Sequence, residues 1–173
     1  MLANKGNNEK LNKKFLRNNQ IFNLNYKIMK NHQTLEALEN ILAGSYLLML
    51  KTQNYHWNVV GENFKPLHEL FQIQYEELFT AIDEIAERIR ALGSKVDGSF
   101  ENFKKHSELK NANKDFSAKE MVKDLISDNE TLVKNLNKAI KTAQAEGDEA
   151  SADIFIQRAK SHEKTIWMLV SSN

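Results

Sequence analysis

Six glycines and one proline in 173 residues leave this chain very few places to turn, and that scarcity most limits what it can become. Glycine supplies the positive φ of tight turns, and proline marks edges and loops. An architecture of many short strands needs such residues every ten positions or so. Long helices do not. The apolar residues agree, recurring at spacings of three and four rather than two. Charged residues form 27% of the chain, and Leu, Ala, Glu and Lys are abundant, as in helical proteins. The expectation is an all-α fold, one domain long enough to bury a real core.

Four long amphipathic segments emerge. The first runs from about 33 to 59, with Leu35, Leu38, Ile41, Leu42, Leu48 and Leu50 at mostly helical spacing, and Gly61 breaks it. The second runs from about 64 to 92, carries Leu67, Leu70, Phe71, Leu78, Ile82, Ile85, Ile89 and Leu92, and ends at Gly93. Asn63 is its expected N-cap, and Pro66 falls in the first turn, where a missing N–H is tolerated. Within residues 94 to 116, Phe100, Phe103 and Leu109 predict a short helix. The third long helix opens on Ser117 and Glu120, a capping box, and stops at Gly147. The fourth runs from about 148 to 169. Two short links and one long connection predict a four-helix bundle with a crossover, occupying residues 31 to 173.

A basic extension precedes this body. Residues 1 to 30 hold Lys5, Lys10, Lys13, Lys14, Arg17, Lys27 and Lys30 against Glu9 alone, a net of +6. The whole chain carries +1, which leaves −5 on residues 31 to 173. Such an extension reads either as a flexible solvated tail or as an electrostatic arm for a polyanion such as DNA, with Lys5, Lys10, Lys13, Lys14 and Arg17 as contacts. No continuous apolar stretch follows the basic residues, so a signal peptide is not expected, and Met29 is an alternative start.

Several chemistries drop out. Without cysteine there is no disulfide framework, thiolate metal site or cysteine nucleophile. No P-loop, GxGxxG or HExxH motif occurs. The longest apolar run, residues 41 to 50, is interrupted by Gly44 and Ser45 and is too short for a bilayer, so no membrane partner is expected.

Four candidate metal ligands remain: His56, His68, Asp83 and Glu87. Imidazole with carboxylate suits iron, manganese or zinc. A helix-loop-helix turn can bring His56 and His68 together, and Asp83 with Glu87 share one helix face. The pairs cannot meet within one chain, because His68 and Asp83 lie on one helix, fifteen residues and roughly 22 Å apart. If two copies of the second helix pack antiparallel across a two-fold axis, His68 of one chain approaches Asp83 of the other, giving two identical sites per dimer. The bland alternatives are hydrogen-bonded core histidines and a solvated acidic face, and spacing alone does not choose. No Glu-x-x-His pair occurs, so an intrachain di-iron core is not supported.

The stretch KTQNYHWNVVGENFKPLHELF, followed by DEIAERIRALG and by HEKTIWML at 162 to 169, resembles the Dps family of bacterial miniferritins, over about residues 32 to 170. The resemblance implies ferritin-like four-helix subunits with a short helix in the long connection, assembled as hollow dodecamers in the bacterial cytoplasm or nucleoid. It implies a ferroxidase that oxidises Fe(II), preferentially with hydrogen peroxide, stores ferric mineral and protects DNA. Its ligands match His56 and His68 from one subunit with Asp83 and Glu87 from another. Many members carry a carboxylate four residues after the second histidine. Here that position is Gln72, a weak ligand without charge.

Two further assignments stay open. Trp57 either supplies or traps an electron, as in the family, or is a core aromatic. Asp148, Glu149 and Asp153 either line a three-fold pore that concentrates cations, as the resemblance implies, or serve the helix macrodipole. A DNA-condensing protein acting mainly through its basic arm, with a weakened ferroxidase site, is the alternative function.

Overall fold

A computed structural model describes residues 32–172 of the chain. Among these residues five helices follow one another: α1 (His32–Asn58), α2 (Phe64–Ala91), α3 (Phe100–His106), α4 (Ala118–Ala145) and α5 (Glu149–Ser171). The basic extension, including Lys5, Lys10, Lys13, Lys14 and Arg17, lies outside the described residues. α1 packs along α2 and α4 along α5, α1 joins the two hairpins by lying against α4, and α3 rests on α1. No described helix is long and apolar enough to cross a membrane.

The periodic residues do what their spacing predicts. Leu38, Ile41, Ile85, Ile89, Leu136 and Phe155 fill one end of the core, and Leu48, Tyr55, Phe71, Met121, Leu125 and Leu169 the other. Each such side chain contributes about 1.5–3 kcal/mol by leaving water. Leu50, expected in the core, is 43% exposed. It stands about 200° around the helix from Leu48, and the inward position belongs to Lys51. Gly44 lets α1 approach α4, since a Cβ there would sit 2.6 Å from Leu132 Cδ2.

Local signals set most helix ends. The Ser117 hydroxyl accepts from Glu120 N–H, and the Glu120 carboxylate accepts from Ser117 N–H at 2.8 Å, completing the capping box. Gly147 takes φ 70°, and Asp148 N–H reaches back to the Ala143 carbonyl at 2.8 Å, closing α4 as a Schellman turn. Asn63 occupies the N-cap position of α2 but makes no side-chain cap. Phe64 N–H bonds to the Gly61 carbonyl instead, and the tight turn holds Asn63 at φ −95°, ψ 22°, away from the extended backbone that side-chain capping prefers.

α1 is capped from far away. Glu146, at the end of α4, accepts from Gln33 N–H at 3.1 Å, Thr34 N–H at 3.0 Å and the Thr34 hydroxyl at 2.6 Å. Replacing Glu146 by Ala should destabilise the protein by about 1 kcal/mol. Hydrogen exchange should quicken at the Gln33 and Thr34 amides and stay unchanged in the middle of α2. Equal protection in variant and wild type would mean that water caps α1 as well as Glu146 does.

Candidate metal centre

His56 lies in the last turn of α1 and His68 in the second turn of α2, and the short link between them folds one ring onto the other. The ring centroids are 3.7 Å apart, with planes inclined by 21°. Each ring is held by the other residue's backbone. His56 Nδ1–H donates to the His68 carbonyl at 2.8 Å, and His68 Nδ1–H donates to the His56 carbonyl at 2.8 Å. A carbonyl only accepts, so the network assigns the proton of each neutral ring to Nδ1. Both Nε2 lone pairs are then left without a protein partner among the described residues. This is how proteins orient metal-binding imidazoles. The His56 carbonyl is also one of the orphan acceptors at the end of α1, so the same bond closes the helix.

Tyr75 meets His56 edge-on at 5.3 Å, and Phe64 lies 5.1 Å from His68. One turn beyond His68, the Gln72 amide nitrogen donates to Glu76 Oε1 at 2.8 Å. Trp57 is 62% exposed and takes no place in the subunit core.

Asp83 and Glu87 both face solvent on α2, lining a shallow depression with Arg90 and Lys95. The structure therefore brings the two histidines together and leaves the two acids apart from them. No three His, Asp or Glu side chains converge on a metal-sized space among the described residues.

The acids at the α4–α5 joint divide. Asp148 is buried: it caps α5 through Ser151 N–H at 3.1 Å and pairs with Arg88. Arg88 Nε–H also donates to the Ser151 hydroxyl at 2.8 Å. Glu149 and Asp153 are exposed. Of the remaining histidines, His32 opens α1, and His106 bonds to Asn40 Oδ1 at 3.0 Å.

Two polar networks lie inside the bundle, built on Lys51 and Arg158, to which the sequence expectations give no role. Lys51, 2% exposed, lies 2.8 Å from Asp124 and 2.5 Å from Asp128. The Tyr55 hydroxyl donates to Asp124 at 2.7 Å and accepts from Asn113 N–H at 3.3 Å. Burial, then the bond to Asp124, pushes the Tyr55 hydroxyl far up, so it stays protonated. Across the bundle Arg158 pairs with Glu77, and Arg158 Nη2 lies 3.5 Å from His162 Nε2. His162 Nδ1–H donates to Asn129 Oδ1 at 2.7 Å. Burial first, and Arg158 second, lowers the His162 pKa to about 3, so this ring is a neutral structural element. A cation entering the interior would meet Lys51 and Arg158. Their signal in the sequence is a basic residue one turn from core residues on an apolar stripe.

The family model of a ferritin-like domain matches residues 35–171. An uncharacterized low temperature-induced protein of Nostoc sp. is 42% identical over 139 residues, 79% of this chain and 78% of its own. DNA protection during starvation protein 2 of Bacillus anthracis is 36% identical over 139 residues, 80% of this chain and 95% of its own. The crystal structure of a Dps protein from Bacillus brevis matches with a TM-score of 0.80 at 33% identity, covering 83% of this chain and 96% of that one. With almost the whole helical body matched, this chain belongs to the Dps family of ferritin-like proteins.

Proposed function

We propose that this chain is a miniferritin subunit that oxidises Fe(II) with hydrogen peroxide at sites shared between two subunits. The ferric product is stored in a hollow homo-oligomer, a dodecamer, and DNA is spared. Membership in the family brings ferritin-like iron handling and DNA protection. The observation that carries the finer reading is the stacked histidine pair, two Nε2 lone pairs oriented by reciprocal backbone bonds. Those imidazoles need carboxylates, and the exposed face of α2 offers Asp83 and Glu87 to a second subunit. The interior, occupied by Lys51 and Arg158, offers no such place.

Fe(II) is the substrate. One ferrous ion and one peroxide give hydroxyl radical by a single-electron step. Two ferrous ions supply two electrons, the O–O bond breaks, and two protons complete two waters. Holding two irons together therefore turns a damaging reaction into a harmless one. Trp57, beside His56 and exposed on the subunit, would pass or trap an electron should the second iron be late. Glu149 and Asp153 would draw cations toward a pore, whereas the charge of Asp148 is already paired with Arg88.

Peroxide added to anaerobic, ferrous-loaded protein in the presence of plasmid DNA should oxidise two Fe(II) per peroxide and leave the plasmid intact. One Fe(II) per peroxide, with strand breaks equal to those of a protein-free control, would sink the reading.

A further inference from the structure

The position four residues after His68 holds no charge, yet it is not idle. Gln72 is partly buried on the face of α2 that carries His68, and its amide nitrogen is committed to Glu76 at 2.8 Å. A carboxylate can only accept, so this bond also decides which end of the carboxamide is which. The NH2 group faces Glu76, and Oε1 is left as an acceptor with no donor among the described residues. On the surface of an isolated helix such a pair adds only a few tenths of a kcal/mol. Its importance here is directional.

We propose that Glu76 is a positioning residue for the metal site: it presents the Gln72 carbonyl oxygen to the cation held by His68 and supplies the negative charge that Gln72 lacks. This inference rests on the intersubunit site proposed above. A carboxylate bound to the far side of a ligand polarises that ligand and raises its donor strength. The Gln72 amide, pulled on its N–H side by Glu76, becomes a more negative oxygen donor than a free carboxamide.

The register of the proposed dimer explains why the charge sits one turn further on. An antiparallel pairing that sets His68 beside Asp83 and Glu87 of the partner subunit places the two-fold axis next to Glu76. Glu77, its neighbour, is turned inward to Arg158. The two copies of Glu76 thus approach each other at the axis. Carboxylates at both 72 and 76 would crowd four like charges into that short stretch. An amide at 72 supplies an N–H to each Glu76 and relieves the repulsion. Gln72 and Glu76 are one unit, an oxygen ligand and its displaced charge.

The test uses Zn(II), which has no redox chemistry, titrated calorimetrically into the assembled full-length protein. The wild type should bind two ions per site, one tightly and one weakly. Glu76→Ala should weaken the second step by about 10–100-fold and leave the first within twofold. Gln72→Glu should tighten the second step, and in that background Glu76→Ala should no longer weaken it. That rescue separates positioning from a general loss of packing. A second step unchanged by Glu76→Ala, or weakened equally in both backgrounds, overturns the proposal. So does a wild type that binds a single ion. His68→Ala serves as the control: loss of the second step supports the underlying site, and two unchanged steps overturn that site and this inference together.

Discussion

Subunits carrying His68→Ala, assembled together with subunits carrying Asp83→Ala, should recover iron oxidation that neither variant has alone. Each substitution removes a ligand from every site of its own homo-oligomer, so each should lower peroxide-dependent oxidation by more than about 100-fold, beyond the loss expected from disturbing a ligand's supporting contact. In a mixed dimer the two defects fall together in one site, which is doubly broken. The other site then receives an intact histidine pair from one subunit and intact Asp83 and Glu87 from its partner. Random pairing makes half of the dimers mixed, and one site in each is whole. The mixture should therefore regain roughly a quarter of the wild-type activity. A mixture as inactive as its components would mean that the four residues do not form shared sites. Full activity in either variant alone would remove that residue from the site.

That outcome follows from a geometry only partly visible in the sequence. The helices were legible because each depends chiefly on its own residues: the stripe from Leu67 to Leu92, the Ser117–Glu120 box, the glycine at 147. The meeting of His56 with His68 was legible as well, because a short break between two helices constrains both ends. The reciprocal Nδ1–carbonyl bonds were not, since they require the link to close at one particular angle. Contacts between distant segments were equally hidden. Glu146 lies next to the acids of the α4–α5 joint, yet it caps α1 from 112 residues away. Asp148 reads as a pore-lining acid or a macrodipole partner, yet it is buried and paired with Arg88. Tyr55 sits in the stretch beside His56, and while its ring is packed in the core, its hydroxyl ties α1 to Asp124 of α4.

The buried lysine is where the sequence pattern and the interior disagree most, and removing it should be severe. Lys51→Ala should destabilise the protein by about 3 kcal/mol at neutral pH, because it strands carboxylates that were placed to face a cation. Burial already raises the Asp128 pKa, with Lys51 pulling the other way and Asp124 adding to the rise. Without Lys51 the rise must grow. The sign of the pH dependence follows. Below the ordinary carboxylate range Asp128 is protonated whether folded or not, and its burial carries no charge penalty. As pH climbs through that range, the unfolded chain releases its proton freely while the folded variant must hold it or bury a charge, so stability falls. The gap between variant and wild type in urea unfolding should thus be widest at neutral pH and narrow below about pH 4. A pH-independent gap would mean that Lys51 acts through its aliphatic stem alone. Replacing the group together, as Lys51→Met with Asp124→Asn and Asp128→Leu, should restore most of the lost stability, since a buried charged cluster is rarely better than a well-packed apolar one. Iron oxidation should survive in that triple variant, because His56 keeps its bonds to His68 and the core network touches neither ring.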